Sequence, residues 1–360
     1  MSVPKFRSDL LSIPRYVPGK PIDEVARELG LTRIDKLASN ESPEAPFQSV
    51  VAAIADAASQ VNRYPDSDSY RLSHAIADFY GVASEEVWIG AGSSDLLRAV
   101  ALATSEPGTS SVFAWPSFVM YRICTRLTGS TGIEVPLTET SQHDLPAMLE
   151  AIRDDTTIVY VCNPNNPTGG HIGGEQVREF VDAVPSDILV VVDEAYAEYV
   201  TADDYLSLIP EVVERPNVIV LRTFSKIYGL AGLRVGYAIG NAQLLSDLKR
   251  TQSPFAVTSI GQAAAIASLE HQDGVRERAV VNAYGRAAIV KALVDRGFTP
   301  APTQANFVYF EPDTTAKELA ESLLHEGVIV RALGEGIRVT VGTDEENGRF
   351  IAALDAVIGN

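Results

Sequence analysis

Residues 223–240 read TFSKIYGLAGLRVGYAIG and follow the apolar run Val218-Ile219-Val220-Leu221, with Arg222 between. That run has the uninterrupted, β-branched character of a strand covered on both faces, as in the parallel sheet of an α/β fold. Lys226 therefore stands just past the end of a buried strand, among small residues. Arg234 follows before the chain returns to the core as Val235-Gly236-Tyr237-Ala238-Ile239. A solvated lysine needs no such setting. A buried lysine tends to lose its proton, which makes it nucleophilic near neutral pH and able to form a Schiff base with a carbonyl.

The same pattern extends outward along the chain. Short β-branched runs alternate with longer helical patterns, which predicts an α/β fold with a mostly parallel sheet. Strands are expected over 87–89, 111–114, 157–162, 188–192, 218–221 and 235–239, with functional groups at their carboxyl edge. After about Asp247 the character changes. An Ala-rich helical region (261–269, then 275–293) leads to short strands at 306–310, 328–331 and 337–341, with a helix over 315–325. This reads as a smaller α+β domain. The N-terminal stretch through Lys36, rich in Pro and Gly, is expected to pack against it. The expected division is a large domain over 37–247 and a small domain made of 1–36 and 248–360.

Three further strand ends carry polar groups. Trp88-Ile89-Gly90-Ala91-Gly92-Ser93-Ser94-Asp95 reads as a strand, a glycine turn and a helix start. Free N–H groups and the helix dipole there can hold a phosphate, with Ser93 and Ser94 adding donors. The motif lacks the third glycine of the dinucleotide fingerprint, and a plain N-cap is the ordinary alternative. The run 162–170, CNPNNPTGG, reads as a turn whose prolines aim the Asn166 amide inward. Asp193 ends the apolar run 188–192, where an acid is costly to bury unless a cation or donor meets it. Taken with Lys226, these groups suit pyridoxal phosphate. Asp193 can keep a pyridine nitrogen protonated, which makes the ring an electron sink. Asn166 and Tyr196 can bond its phenolic oxygen, and Ser225 and Arg234 its phosphate.

Composition narrows the class. Asp and Glu outnumber Lys and Arg by 47 to 29, a field that disfavours nucleic acid and anionic membrane as partners. The first twenty residues hold no apolar core long enough for a signal peptide, and no run is long enough for a transmembrane helix. The two cysteines, Cys124 and Cys162, form no CxxC, so a reduced, cytoplasmic enzyme is expected. The five histidines show no HExxH or comparable spacing, and no metal is expected; His325, beside Glu326, is expected at the surface.

NPNNPTG (163–169), DEAYAEY (193–199) and TFSKIYGLAGLRVGY (223–237) resemble the signature of fold-type-I pyridoxal-phosphate aminotransferases. More narrowly, the chain resembles the histidinol-phosphate aminotransferase family and its relatives, the aromatic amino acid aminotransferases. The likeness runs from IPRYVPGK (13–20) and KLASNESP (36–43), through NRYPD (62–66) and WPSFVMY (115–121), to APTQANFVYF (301–310) and GIRVTVGT (336–343). It implies the fold-type-I architecture: a large domain with a mostly parallel, seven-stranded type of sheet, plus a smaller α+β domain. It implies Lys226 as the Schiff-base lysine and proton shuttle, and Asp193 as partner of the pyridine nitrogen. Asn166 and Tyr196 fall at the phenolic oxygen, Ser94, Ser225 and Arg234 at the phosphate, and Thr223 and Ser93 beside it. Phe118 falls where the family stacks an aromatic ring on the cofactor. Tyr64 matches a tyrosine that reaches the phosphate of the neighbouring subunit in a homodimer. Arg338 matches an arginine that clamps a substrate carboxylate, with Arg331, Tyr16 and Asn40 as further substrate contacts.

The implied reaction moves an amino group from a donor to a keto acid, 2-oxoglutarate. IPRYVPGK, KLASNESP and GIRVTVGT fit the histidinol-phosphate branch. SPFAVTSIGQAAAIASL (253–269) and APTQANFVYF lean toward the aromatic branch, whose donors are phenylalanine and tyrosine. Histidinol-phosphate enzymes tend to carry asparagines in PFNVN, where this chain has Ala256 and Thr258. Histidinol phosphate is placed first and the aromatic donors second. The same scaffold also supports a decarboxylase acting on a phosphothreonine, a C–S lyase, or a non-enzymatic pyridoxal-phosphate-binding regulator. Such regulators usually append a DNA-binding segment, and no basic helix-turn-helix stretch precedes Lys36.

Overall fold

The structure, a computed structural model, describes residues 4–8, 10–13 and 22–359. Its centre is a seven-stranded sheet. In chain order the strands are β1 (Val87–Gly90), β2 (Ser110–Trp115), β3 (Thr131–Pro136), β4 (Thr156–Cys162), β5 (Leu189–Asp193), β6 (Val218–Thr223) and β7 (Gly236–Gly240). Their spatial order is β1-β7-β6-β5-β4-β2-β3. Strand β7 runs antiparallel to both β1 and β6, and every other pair is parallel. The carboxyl ends of β1, β4, β5 and β6 therefore open onto one edge.

Six of the strands lie where the sequence predicts, their ends moved by one or two residues. The seventh, β3, has no such signal. Its sequence TGIEVP includes a glycine, a glutamate and a proline, and only Val135 is buried, as suits an edge strand. In the central strands alternate residues enter two different cores. Val190, Val192 and Val220 pack on one side of the sheet, and Leu189, Val191 and Ile219 on the other. That double burial is why these strands read as continuous apolar runs. Each such side chain contributes about 1.5–3 kcal/mol relative to exposure.

A third core gathers around a three-stranded antiparallel sheet, in which Gly336–Thr340 lies between Arg331–Leu333 and Phe307–Phe310. The helices Gln272–Val294, Ala316–His325 and Asp344–Ile358 bury Ile289, Leu323 and Phe350 in that core. The single strand expected over 328–331 is two strands. Val328–Ile329 pairs in parallel with Asp35–Lys36, and Arg331–Leu333 turns to pair with Gly336–Thr340. Asp35–Lys36 thus joins this part of the molecule, whereas Arg7 donates to the Leu127 carbonyl beside the seven-stranded sheet. Among the described residues, no helix is long and apolar enough to cross a membrane.

Candidate active site

Four strand ends meet at one cavity. Its wall includes Ser93 and Ser94 after β1, Cys162 at the end of β4 with Asn166 beyond it, Asp193 at the end of β5 with Ala195 and Tyr196 beyond it, and Thr223 at the end of β6 with Ser225 and Lys226 beyond it. Phe118, Arg234, Ser39, Asn40 and Arg338 complete it. Most of the residues singled out from sequence are therefore brought together, though they come from segments far apart in the chain.

One end is built for an anion. The helix Ser93–Thr104 begins at Gly92, and no side chain caps it, so its first N–H groups and its dipole face the cavity. Arg234, in the left-handed region at φ 53°, turns its guanidinium to Ser225 Oγ (3.3 Å) and the Ala231 carbonyl (3.1 Å). Gly92 sits under it at φ 81°, and a Cβ there would lie 2.6 Å from Arg234 Nη2. Only glycine meets both conditions. Thr223 Oγ1 accepts the Ser225 N–H at 3.1 Å and donates to the Val235 carbonyl, which fixes the turn leading to Lys226.

The other end holds a buried acid. Asp193 is 2% exposed, and burial raises its carboxyl to about 6. Its oxygens accept one hydrogen bond each, from the Tyr121 hydroxyl (3.0 Å) and the Ala195 N–H (3.2 Å). Between the two ends Lys226 is half-buried. Its Nζ donates to the Asn40 carbonyl at 3.3 Å and lies 5.4 Å from the centre of the Tyr196 ring. Burial, with Arg338 nearby, lowers the Lys226 amine to about 7. Such an amine is a nucleophile at neutral pH.

On the remaining side, Arg338 donates to Asn166 Oδ1 (2.5 Å) and to the Ala38 carbonyl (2.8 Å). Asn40 joins this side to the others. Its amide donates to the Tyr196 hydroxyl (2.9 Å) and its backbone N–H to Thr340 Oγ1 (2.9 Å). Burial pushes the Tyr196 phenol up, so it stays protonated.

The family model for aminotransferase class I and II matches residues 33–354. The chain belongs to that family. It is a pyridoxal-phosphate-dependent aminotransferase. The histidinol-phosphate aminotransferase of Moorella thermoacetica is 42% identical over 363 residues, covering 99% of this chain and 94% of its own. The aromatic amino acid aminotransferase of Thermobifida fusca is 45% identical over 349 residues, covering 97% and 96%. A crystal structure of the histidinol-phosphate aminotransferase from Sinorhizobium meliloti, in complex with pyridoxal-5'-phosphate, superposes with a TM-score of 0.92 at 30% identity. The match covers 99% of this chain and 98% of that one.

Two of the aminotransferase's expected site residues stand apart from the cavity wall. Tyr64 is 82% exposed and stacks on Phe255, ring centres 4.7 Å apart. Arg331 lies directly opposite Arg338 on the neighbouring antiparallel strand, so the two side chains share a face of the sheet. Tyr16 lies outside the described residues. Sequence reasoning missed Tyr121, Ser39, Cys162 and Ala195. Tyr121 carried a signal, since it falls three residues after Phe118 in WPSFVMY and so on the same helical face. Ala256 and Thr258 do not line the cavity. Thr258 caps the helix Ser259–Leu269 by accepting the Gly261 N–H at 3.1 Å, a task threonine and asparagine both perform. Among the described residues no group of His, Cys, Asp and Glu is placed to hold a metal ion.

Proposed function

We propose that this aminotransferase moves the amino group of histidinol phosphate to 2-oxoglutarate, with Lys226 as its covalent catalyst. The residues present fit pyridoxal phosphate. The uncapped helix start, Ser94, Ser225 and Arg234 would hold its phosphate, and Asp193 its pyridine nitrogen. Asn166 and Tyr196 would meet its phenolic oxygen, and Phe118 a face of the ring. When bound, the group supplies a carbonyl for amines and an electron sink for the carbanion left by proton removal. Lys226 Nζ would hold the group by its aldehyde carbon and would take up and return the proton of the donor carbon. Asp193 holds the proton on the ring nitrogen, and Asn40 orients the Tyr196 hydroxyl through its amide.

The observation that carries the donor assignment is the placement of Arg331 opposite Arg338. Each guanidinium presents a planar fork of N–H donors, and the two together suit an anion that brings several acceptor oxygens. The phosphate of the donor and the second carboxylate of 2-oxoglutarate are both such anions. Arg331→Ala is expected to lower kcat/KM for histidinol phosphate by about one to two powers of ten. Phenylalanine, which brings no distal anion, should lose far less. Steady-state kinetics with both donors measures this. An aromatic donor is the second reading, supported by the likeness to the Thermobifida fusca relative. It replaces the first if wild type ignores histidinol phosphate and turns over phenylalanine well.

We also propose a homodimer in which Tyr64 reaches the cofactor phosphate of the partner. Its exposure, its absence from the wall of its own cavity and its stacking on half-exposed Phe255 support this. Tyr64→Phe should weaken cofactor retention on dialysis while leaving the ratio of donor activities unchanged. A fully active monomer in analytical ultracentrifugation at assay concentration would refute the shared site.

A further inference from the structure

Tyr121 is fully buried in the helix Val119–Thr128. Its hydroxyl donates to Asp193 Oδ2 at 3.0 Å. Its ring stacks on Tyr160, centres 4.6 Å apart and planes within 15°, and stands edge-on to Phe118 at 5.8 Å and 88°. One side chain thus touches both the acid at the end of β5 and the ring at the start of its own helix. We infer that Tyr121 is a positioning residue for the cofactor, fixing the Asp193 carboxylate toward the pyridine nitrogen and tying it to Phe118. The inference rests on the ring-nitrogen role proposed for Asp193.

The chemistry of the contact supports this. A carboxylate that must keep a ring nitrogen protonated needs its orientation fixed and its charge left available. A lysine or arginine in contact would fix it and also neutralise it. A phenol donates one hydrogen bond and carries no charge. Burial and the neighbouring Asp193 push the Tyr121 hydroxyl well above its ordinary range, so it remains a donor. The other hydrogen bond to the carboxylate is the Ala195 N–H, also neutral. The titratable neighbours that act on Asp193 or feel its charge are Cys162, Glu194, Tyr196 and Lys226. Of these only Lys226 can carry a positive charge, and its Nζ is turned to the Asn40 carbonyl.

The test compares two ligands of the apoenzyme by fluorescence titration: pyridoxal phosphate and its 1-deaza analogue, in which C–H replaces the ring nitrogen. The preference of wild type for the natural ligand measures the ring-nitrogen contact alone. Tyr121→Phe keeps both ring contacts and removes only the hydroxyl. It is expected to reduce that preference about ten-fold, the scale of one hydrogen bond to a charged group. Affinity for the deaza analogue should stay within about two-fold. Binding is measured on protein whose near-ultraviolet circular dichroism matches wild type. Asp193→Ala is run beside it. If Asp193→Ala abolishes the preference and Tyr121→Phe leaves it intact, or weakens both ligands equally, the positioning role is overturned. If Asp193→Ala itself leaves the preference unchanged, the reading of Asp193 fails and the inference fails with it.

Discussion

Lys226→Ala should still bind pyridoxal phosphate and yet lose turnover by several powers of ten, as expected when a covalent catalyst is removed. The cavity keeps its anion-binding end, which owes nothing to Lys226 Nζ. What would disappear is the amine proposed to hold the aldehyde and to move the proton. In wild type, borohydride treatment of the loaded enzyme should leave the cofactor on the peptide carrying Lys226. Recovery on the Lys249 or Lys291 peptide would sink the assignment. The pH dependence has a definite sign. The Lys226 amine falls from 10.5 to about 7. Covalent capture of the cofactor by the apoenzyme should therefore rise with pH, with a midpoint near 7, and level off above it. Stopped-flow absorbance follows this directly. A midpoint near the ordinary lysine value would show that the amine is solvated.

The second large effect is expected at Asp193. Asp193→Asn is nearly isosteric, and its amide oxygen can still accept from Tyr121. It cannot keep a proton on a pyridine nitrogen. Turnover should fall by about two to three powers of ten, the scale seen when one preorganised electrostatic partner is lost. Near-normal kcat would mean that another residue meets the ring nitrogen. Stability of the apoenzyme should move the opposite way. The Asp193 carboxyl rises from 3.8 to about 6 on folding, so the folded state binds more protons than the unfolded state in that window. Its contribution is present below about pH 4 and is lost as pH climbs through 6. The neutral asparagine has no such loss. The variant's melting temperature should gain on wild type across that interval and hold the gain above it.

The parts of the site that follow strand ends were legible because double burial writes a plain signal. An apolar run that stops at Asp193, or two residues before Thr223, marks both a strand and its carboxyl edge. What sequence could not show is who meets whom. Tyr121 to Asp193, Asn40 to Tyr196 and Arg338 to Asn166 are contacts between remote segments. No local period encodes such contacts. The same limit explains the misread run 328–331. Its apolar character is real, but its first two residues pair with Asp35–Lys36 and the next strand with Gly336–Thr340. Strand β3 was missed for another reason. An edge strand with one buried residue has little hydrophobic pattern to read.

The contacts of Asn40 have a bearing on synthesis. Its partners reach from Tyr196 and Lys226 to Asn306 and Thr340. A chain leaving the ribosome presents the seven strands of the central sheet, with Asp193 and Lys226, well before Asn306, Arg338 and Thr340 exist. Domains fold as units during translation, amino-terminal part first. The nascent chain can thus assemble the ledge for the cofactor while the wall that would hold a substrate is still untranslated. Asn40, among the earliest residues made, can meet Tyr196 and Lys226 early but must wait for nearly the last residues to complete its bonds. A ribosome-stalled chain ending shortly before Gly336 should accordingly take up pyridoxal phosphate and be unable to use it.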